Sequence, residues 1–451
     1  MEVKQGAAVV VTKKVGQLPQ EKVKRHSEKF LSIVFLFLAT YGVWSQQTDT
    51  SYKQRVLETS EIDVLFSYYN QDGTHAAVTG GEGTEDLTDA TSTLVLRMPI
   101  NQDDILTVDV GLSAYTSASS SNVNPLDGGN TVTPFDASSG ESRSDLLAYI
   151  NPSYQHSSAD RNSIWSANAY FSSEYDYLSI GFGGSYTRLF NEKNTELSLS
   201  GRVFLDKWNA VYPIELRSGF FDNRITGNGT YNPNFSEFDK ENRNSYTLSL
   251  SFSQILGKKL QGVLSVDFVS QNGLLSTPFQ RVYFGDLQDF FIDDFQLADD
   301  VEHLPDNRLK IPFGGRLNYY LNDLVVLRTY YRFYWDDWGI TSHTASLEVP
   351  LKVTDKFKVY PTYRYYTQTA ADYFYPKEQA LSTYEFYTSD YDLSKYDSHQ
   401  YGLGVQYKDI FTSTRVFNFG LKTVDLRFSQ YDRSDGLNAF IITLGTTFVG
   451  N

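Results

Sequence analysis

The side chains most suited to chemistry in this sequence are the acidic residues of one short segment, 290–303. Its potential metal ligands are Asp293, Asp294, Asp299, Asp300, Glu302 and His303. Oxygen ligands suit Ca²⁺ and Mg²⁺, so a site for one of these ions is one prediction, although the spacing is not that of an EF-hand loop. The alternative is a solvated acidic loop whose aromatic residues fold inward as a plug or lid. No other cofactor is expected.

Charged residues of both signs also recur among alternating residues along the chain. The basic ones of interest are Arg316, Arg328, Arg332 and Arg364, and the acidic ones are Asp109, Asp206, Asp267 and Glu348. If these side chains share the interior of a barrel, the arginines form a basic wall that selects solutes in an open pore. In a closed barrel they instead pair with the acidic residues and brace the wall.

Motifs for enzymatic chemistry are scarce. The sequence contains no HExxH, no GxSxG and no Walker loop, and it has no cysteine. The lack of cysteine excludes disulfides, thiolate metal sites and a cysteine nucleophile. The six histidines are scattered, and among so many Ser and Asp residues a Ser–His–Asp set arises by chance. We therefore predict no catalytic residues and no enzymatic activity.

The elements that position these side chains show a period of two. In residues 195–206 one face carries Leu197, Leu199, Gly201, Val203 and Leu205, and the other carries Glu196, Ser198, Ser200, Arg202, Phe204 and Asp206. One apolar face and one wet face indicate a half-buried strand. The same alternation recurs from residue 62 to the end, so the mature chain is predicted to be all-β.

The connections between these strands alternate in length. Short turns are predicted at 101–104, 158–163, 191–194, 257–260, 322–323, 354–356 and 411–413. Longer loops are predicted at 70–89, 117–142, 209–244, 274–307, 376–394 and 431–436, with two short links near 175–177 and 336–339. Short turns on one side and long loops on the other are typical of a transmembrane antiparallel β-barrel. We predict about 16 strands, with the turns in the periplasm and the loops outside.

The barrel is predicted to occupy residues 61–451, with its first strand at 62–69, its last at 437–449 and a bulge at Thr423. The last strand resembles the aromatic C-terminal signal that barrel-assembly machinery recognises. Aromatic residues at strand ends suit interfacial girdles, namely Trp165, Tyr175, Tyr177, Trp208, Trp335 and Trp338. The expected partners are therefore outer-membrane lipid and the assembly machinery.

The N-terminal region predicts export. Residues 30–44 form an apolar run that follows several lysines and precedes polar residues, which is typical of a signal peptide. We place cleavage after Ser45, so that 1–45 is an extension plus signal peptide and 46–60 a periplasmic segment. The alternative, an uncleaved anchor, is disfavoured because a spanning helix needs roughly 20 apolar residues.

The overall charge excludes one class of partner. The 451 residues include 39 Lys and Arg against 54 Asp and Glu, which gives a net charge of −15. Binding a phosphate backbone requires concentrated positive charge, and no basic stripe is present. We expect no nucleic acid partner.

Several blocks of the sequence resemble a known family. They are 66–73 (FSYYNQDG), 77–85 (AVTGGEGTE), 113–122 (SAYTSASSSN), 156–162 (HSSADRN), 174–177 (EYDY) and 189–199 (LFNEKNTELSL). Together they resemble a Bacteroidota outer-membrane family, domain of unknown function 3570. The resemblance implies a β-barrel in a Gram-negative outer membrane and transfers no catalytic residues. It also implies an extracytoplasmic redox or metal-handling setting, because members are often described beside genes for a thioredoxin-like protein, a lipoprotein and a flavin transferase.

Three functions remain open from the sequence. The favoured one is a channel or transporter for small polar solutes or metal ions. The first alternative is a non-conducting structural or docking barrel that partners a periplasmic or surface lipoprotein or an extracytoplasmic redox system. The second is an outer-membrane barrel enzyme acting on lipid or peptide.

Overall fold

The computed structural model describes residues 55–116, 144–209, 212–217, 219–220, 222–233, 235 and 242–450. The predicted signal peptide and the loop predicted at 117–142 lie outside these residues. Within the described part of the chain, every helix is a three-residue 3₁₀ turn. None of these helices is long and apolar enough to cross a membrane.

Sixteen antiparallel strands form one closed sheet. In chain order they are β1 Glu61–Asp72, β2 Leu87–Pro99, β3 Asp104–Thr116, β4 Ser144–Ser157, β5 Ser163–Ser173, β6 Tyr177–Phe190, β7 Thr195–Trp208, β8 Asn242–Gly257, β9 Leu260–Gly273, β10 Asn307–Tyr320, β11 Val326–Asp336, β12 Thr341–Glu348, β13 Phe357–Gln368, β14 Tyr396–Lys408, β15 Phe419–Arg433 and β16 Asn438–Gly450. Each strand pairs with the next, and β16 pairs back with β1. Two short strands, Leu351–Lys352 and Arg415–Val416, extend the ladders at β13 and β15.

The outer face of this sheet is apolar. Leu199 and Leu250 lie opposite each other on β7 and β8 and are 48% and 43% exposed. The same face carries other exposed large apolar side chains, among them Ile180, Phe182, Leu248, Leu264, Phe268, Phe313 and Leu317. In water such a surface would be an unprotected patch, whereas in a bilayer it is the lipid-facing band. A closed sheet also leaves no unpaired edge in the hydrocarbon. The protein is an outer-membrane β-barrel.

The connections are sorted by end, as the sequence predicts, although the longer loop predicted at 431–436 is only a short link, because residues 431–433 continue the strand β15. Seven turns lie at one end, at 100–103, 158–162, 191–194, 258–259, 321–325, 349–356 and 409–418. Among the described residues, the other end carries 73–86, 274–306, 369–395 and the described part of 209–235, with short links at 174–176, 337–340 and 434–437. The predicted bulge is confirmed, because the register of β15 with β16 shifts between Leu421 and Thr423. We assign the turn end to the periplasm.

The buried apolar core lies among the loops. We call the described residues of 73–86, 212–235, 274–306 and 369–395 the cap. Two small sheets order its described residues: Phe290–Ile292 pairs with Ile225–Gly227 and with Phe295–Gln296, and Arg281–Val282 pairs with Asp300–Val301. The buried apolar residues form three clusters: Val282, Phe284, Ala380 and Tyr387; Phe290, Ile292 and Leu297; and Leu275 and Leu304 with Trp338 of the neighbouring link 337–340. The loop end of the barrel therefore carries a folded layer with its own core.

Candidate functional site

Four arginines share the inner face of neighbouring strands. The register places Arg316 opposite Tyr330 and Arg332 opposite Gly314, across the β10–β11 ladder. Arg364 on β13 lies opposite Ser346 of β12, on the same face. With Arg328, which lies four residues before Arg332 on β11, these side chains are exposed to the barrel interior, the lumen. The structure thus gathers the four arginines on one wall.

One of the four arginines is neutralised. The Nη1 atom of Arg328 lies 2.7 Å from Oε1 of Glu348, in an ion pair between β11 and β12. For Arg316, Arg332 and Arg364, the described residues provide no ion-pair partner. Cation–π contacts join them to Tyr330, Tyr334 and Tyr366, at 5.8, 5.8 and 5.9 Å from the ring centres. A cation–π contact does not use the guanidinium N–H groups, which remain available to a solute.

Of the other acidic lumen residues, Asp109 and Asp206 lie away from this wall, whereas Asp267 is on β9, which pairs with the Arg316 strand β10. Asp109 on β3 accepts a hydrogen bond from the Tyr149 hydroxyl at 3.1 Å, and Asp206 on β7 accepts one from Tyr177 at 2.6 Å. Asp267 is on β9, opposite Ser249. In a closed sheet of sixteen strands, β3 is eight strands from β11 in either direction and so faces it across the lumen. Asp109 therefore faces the arginine wall from the opposite side of the lumen.

A cavity lies between the basic wall and the cap. Its volume is about 360 Å³, and its lining includes Arg332, Arg364, Tyr334, Tyr366, Tyr396 and Tyr431. Asp392 and Leu393 of the cap also line it. A second cavity, of about 240 Å³, lies beside Glu348 and Arg427, and Arg364 lines both cavities.

The acidic segment 290–303 is built into the cap. Asp293 and Asp294 are exposed at the turn that follows Phe290–Ile292. Asp299, Asp300 and Glu302 are only 9%, 0% and 2% exposed, so the prediction of a solvated acidic loop is wrong for these three residues. The prediction that aromatic residues fold inward is confirmed, because Phe290 belongs to a buried cluster.

Hydrogen-bond donors from other parts of the cap explain this burial. Asp299 accepts from the backbone N–H of Phe284 at 2.9 Å, and Asp300 accepts from the Tyr387 hydroxyl at 2.7 Å. Glu302 accepts from the backbone N–H of Thr277 at 2.7 Å and from the Thr388 hydroxyl at 2.5 Å. His303 donates its backbone N–H to the carbonyl of Tyr387 at 3.0 Å. These groups brace loops and do not converge on one point.

Burial also changes the protonation of the cap. It raises the pKa of Glu302 to about 8, that of Asp390 to about 7 and that of Asp299 to about 6. The physical cause is the loss of water around a charged carboxylate. Glu302 therefore holds a proton at neutral pH, which lowers the cost of keeping it buried.

One buried ion pair joins three loops of the cap. Arg281 and Glu215 are 1% and 2% exposed, and Nε of Arg281 lies 2.5 Å from Oε1 of Glu215. Nη1 of Arg281 also donates to the carbonyl of Val78 at 3.3 Å. Because the loop with Val78 follows β1 and the loop with Arg281 follows β9, this contact spans opposite sides of the barrel mouth.

Three carboxylates outside the predicted set do approach one another. Within the described residues, Asp145, Glu174 and Asp176 bring their oxygens within 4.8 Å, at the loop end of β4–β6. Glu174 accepts a hydrogen bond from the Tyr115 hydroxyl at 2.6 Å, and Asp176 accepts one from the Trp208 indole at 3.1 Å. The carboxylates thus already have protein donors.

Comparison with known proteins identifies the family. Residues 34–438 match the family described as Protein of unknown function (DUF3570). The chain belongs to this family. No curated protein matches it. The family predicted from the sequence blocks is confirmed, and its assignment to the Bacteroidota stays a prediction.

Solved barrels are similar to this DUF3570 chain at low identity. A bacterial polysaccharide outer membrane secretin is 10% identical, with a TM-score of 0.42 over 87% of this chain and 99% of that one. A BenF-like porin from Pseudomonas fluorescens Pf-5 is 8% identical, with a TM-score of 0.40 over 87% and 98%. OccK1 (OpdK) from Pseudomonas aeruginosa is 8% identical, with a TM-score of 0.37 over 87% and 98%. No function follows from these similarities.

Three predicted girdle residues of the DUF3570 barrel are placed elsewhere: Tyr177 points into the lumen, where its hydroxyl donates to Asp206, and two tryptophans are buried at the rim. Trp165, Tyr175 and Trp335 are exposed, but Trp208 and Trp338 are 7% and 3% exposed, so their assignment to the girdle is wrong. The reason is hydrogen bonding at the rim: the Trp208 indole donates to Asp176, and that of Trp338 donates to the carbonyl of Asn307 at 2.9 Å. Trp208 lies an even number of residues after the lumen-facing Ser200 on β7, so strand alternation alone predicts that its side chain points inward.

Proposed function

We propose that this outer-membrane barrel is a channel or transporter for small polar solutes and that it favours anionic solutes. The observation that carries the proposal is the set of three lumen arginines without ion-pair partners among the described residues, Arg316, Arg332 and Arg364. A wall built only for bracing would pair its charges, because an unpaired charge gains nothing for stability. Free guanidinium groups along an aqueous path attract anions and repel metal cations.

In this proposal the cap controls the access of solutes to the lumen. Its loops meet across the loop end of the barrel through contacts such as that of Arg281 with Val78 and the ion pair of Lys377 with Glu82, at 3.1 Å. A solute arriving from the loop side must pass this layer before it reaches the basic wall. We therefore propose that passage depends on displacement of cap loops.

Planar-bilayer recording of the purified full-length protein tests the proposal. We expect single-channel conductance with preference for chloride over potassium, and an increase in open time when the cap is loosened by Glu215→Gln. A protein that inserts correctly but conducts neither ions nor polar solutes, in bilayers and in liposome-swelling assays, would remove the channel function.

A docking barrel is the second candidate, and one observation favours it. Phe411 and Phe417, on the turn 409–418, are 79% and 95% exposed at the proposed periplasmic end. Exposed aromatic side chains of this kind mark surfaces for a partner or for the lipid interface. A lipoprotein that co-purifies with the native barrel and is lost in the Phe411→Ser, Phe417→Ser variant, in the absence of conductance, would favour docking.

A further inference from the structure

We infer that the cavity between the basic wall and the cap is a binding site for a small organic carboxylate attached to a six-membered ring. The inference rests on the proposed function, because it names the class of solute that the lumen holds. It depends on the charge, the aromatic surface and the size of this cavity.

Two arginines that line the cavity have no ion-pair partner among the described residues. Arg332 and Arg364 lie on β11 and β13, separated by one strand and offset by two residues in register, so their backbones are roughly 12 Å apart. Long side chains on one face can converge across that distance on a single group. Within the described part of the chain neither has an ion-pair partner, and a carboxylate offers two oxygens that match the guanidinium fork.

The remaining charges around the cavity are already paired. Arg308 lies 2.5 Å from Asp336 and stacks over the Trp338 ring at 4.2 Å. Asp392, in the cap, lies 2.5 Å from Arg433, which also lies 2.5 Å from Asp435, so one arginine is shared by two carboxylates. Among the lining residues, Arg308, Arg332 and Arg364 outnumber the single carboxylate Asp392, and the positive charges without an ion-pair partner among the described residues are Arg332 and Arg364.

The aromatic surface indicates what the anion carries. Tyr334 and Tyr366 lie beside the two free arginines, and the ring of Tyr396 is 5.7 Å from that of Tyr366. The hydroxyls of Tyr334 and Tyr366 donate to Asp336 and Gln368 at 2.7 and 2.6 Å, which fixes the orientation of both rings. Fixed ring faces next to a guanidinium favour a flat body with a carboxylate at one end.

The size of the cavity limits the ligand. A volume of about 360 Å³ is at the small end of the range of roughly 300–1,000 Å³ for ligand sites. One ring with its carboxylate fits such a space, whereas an oligosaccharide or a peptide does not. An aromatic acid and a sugar acid share this chemistry and are told apart by experiment.

Calorimetric titration of the full-length protein in detergent tests the inference. The probes are benzoate and glucuronate as ring carboxylates, benzamide as the uncharged analogue of benzoate, and inorganic phosphate as an anion without a ring. We expect at least one ring carboxylate to bind, with benzamide and phosphate at least about tenfold weaker. The tighter of benzoate and glucuronate identifies the ring. Equal binding of benzoate and benzamide, or phosphate binding as tight as the better carboxylate, would overturn the assignment.

Variants locate the site. Arg332→Gln and Arg364→Gln should each weaken carboxylate binding about tenfold or more, because each removes a charged hydrogen-bond donor. The matched control is Arg202→Gln, a lumen-facing arginine on β7 that does not line the cavity, and it should leave binding unchanged. If Arg202→Gln weakens binding equally, the carboxylate responds to the overall charge of the lumen and not to this cavity, which would overturn the site. Heat-dependent gel mobility verifies that each variant is a folded barrel.

The two proposals fail in different ways. If the wild-type protein conducts but binds no ring carboxylate, the site is wrong and the channel stands. If it binds the carboxylate in the expected pattern but conducts no ions and passes no solutes, the site stands and the channel function is lost.

Discussion

In the barrel wall, large apolar side chains such as Leu199 and Leu250 remain nearly half exposed, whereas in the cap Ile292 and Leu297 are 0% and 2% exposed. The wall relies on inter-strand hydrogen bonds and on lipid to cover its apolar face. The cap faces water and buries its apolar residues within itself. The two regions therefore respond to different changes: the wall to charges on its lipid face, and the cap to loss of its buried polar contacts.

The largest effect is expected from breaking the buried pair of the cap. Glu215→Gln leaves Arg281 buried without a counter-charge, which should destabilise the cap by about 3–5 kcal/mol. Hydrogen–deuterium exchange should rise throughout 274–306 and stay slow in β10–β13. The double variant Glu215→Leu, Arg281→Met should be much milder. Faster exchange in the barrel strands would show that the two regions are not separate.

Charge substitution tests the two faces of the wall. Leu199→Arg places a charge on the lipid side and should cost about 2–4 kcal/mol near the bilayer midplane. Ser200→Arg, one residue further along β7, points into the lumen and should be much milder. Urea unfolding in lipid vesicles measures both. Equal damage from the two substitutions would mean that the assignment of faces is wrong.

The pH dependence of the cap follows from its buried carboxyls. Glu302 has a pKa raised from 4.5 to about 8, so it binds its proton more tightly in the folded cap than in the unfolded chain. The cap is therefore favoured at low pH and loses this stability as the pH rises from about 4.5 to 8. Asp390 changes in the same direction.

Exchange rates of cap amides between pH 5 and 8, corrected for intrinsic rates, measure this effect. Glu302→Gln keeps an uncharged group at the position and should flatten the profile. A cap whose protection increases with pH, or a profile unchanged by Glu302→Gln, would contradict the role of this carboxyl.

The smallest effects on stability are expected from the basic wall. Arg328→Ala breaks a partly exposed ion pair with Glu348 and should cost no more than about 1 kcal/mol. Arg332→Ala has no ion pair to break among the described residues and should change stability by less than about 0.5 kcal/mol. In a KCl gradient, however, Arg332→Ala should shift the reversal potential toward the equilibrium potential of potassium. A clear loss of thermal stability without that shift would show that Arg332 stabilises the wall and does not select ions.

The sequence could predict the wall because its pattern is local. Alternation with a period of two fixes which side chains point inward, so the strand number, the sorted loops and the bulge near Thr423 follow from neighbouring residues. The common face of Arg316, Arg328, Arg332 and Arg364 follows from the same alternation. Which of them is ion-paired depends on the register between strands, which alternation alone does not determine.

The cap could not be predicted in this way. Its contacts join residues far apart in the chain: Arg281 is 66 residues from Glu215 and 203 from Val78. Acidic residues are usually solvated, so the burial of Asp300 and Glu302 requires donors from Tyr387 and Thr388 that no local pattern shows. The length and aromatic content of the loops predict that they fold inward as a plug. They do not show which residues form the buried core of that plug.

The pairing of β1 with β16 has a consequence for how the molecule forms. Glu61 lies opposite Val449, so the ladder that closes the sheet joins the two ends of the described chain. No earlier pairing can substitute for it, because every other strand lies beside its neighbour in sequence. During biogenesis the edge of β1 therefore stays unpaired until the C-terminal strand arrives, and it would pair with any passing chain unless it were shielded. Pairing of β1 with β16 is non-local and therefore slow. We expect that the edge of β1 must be protected from other chains until this pairing is complete.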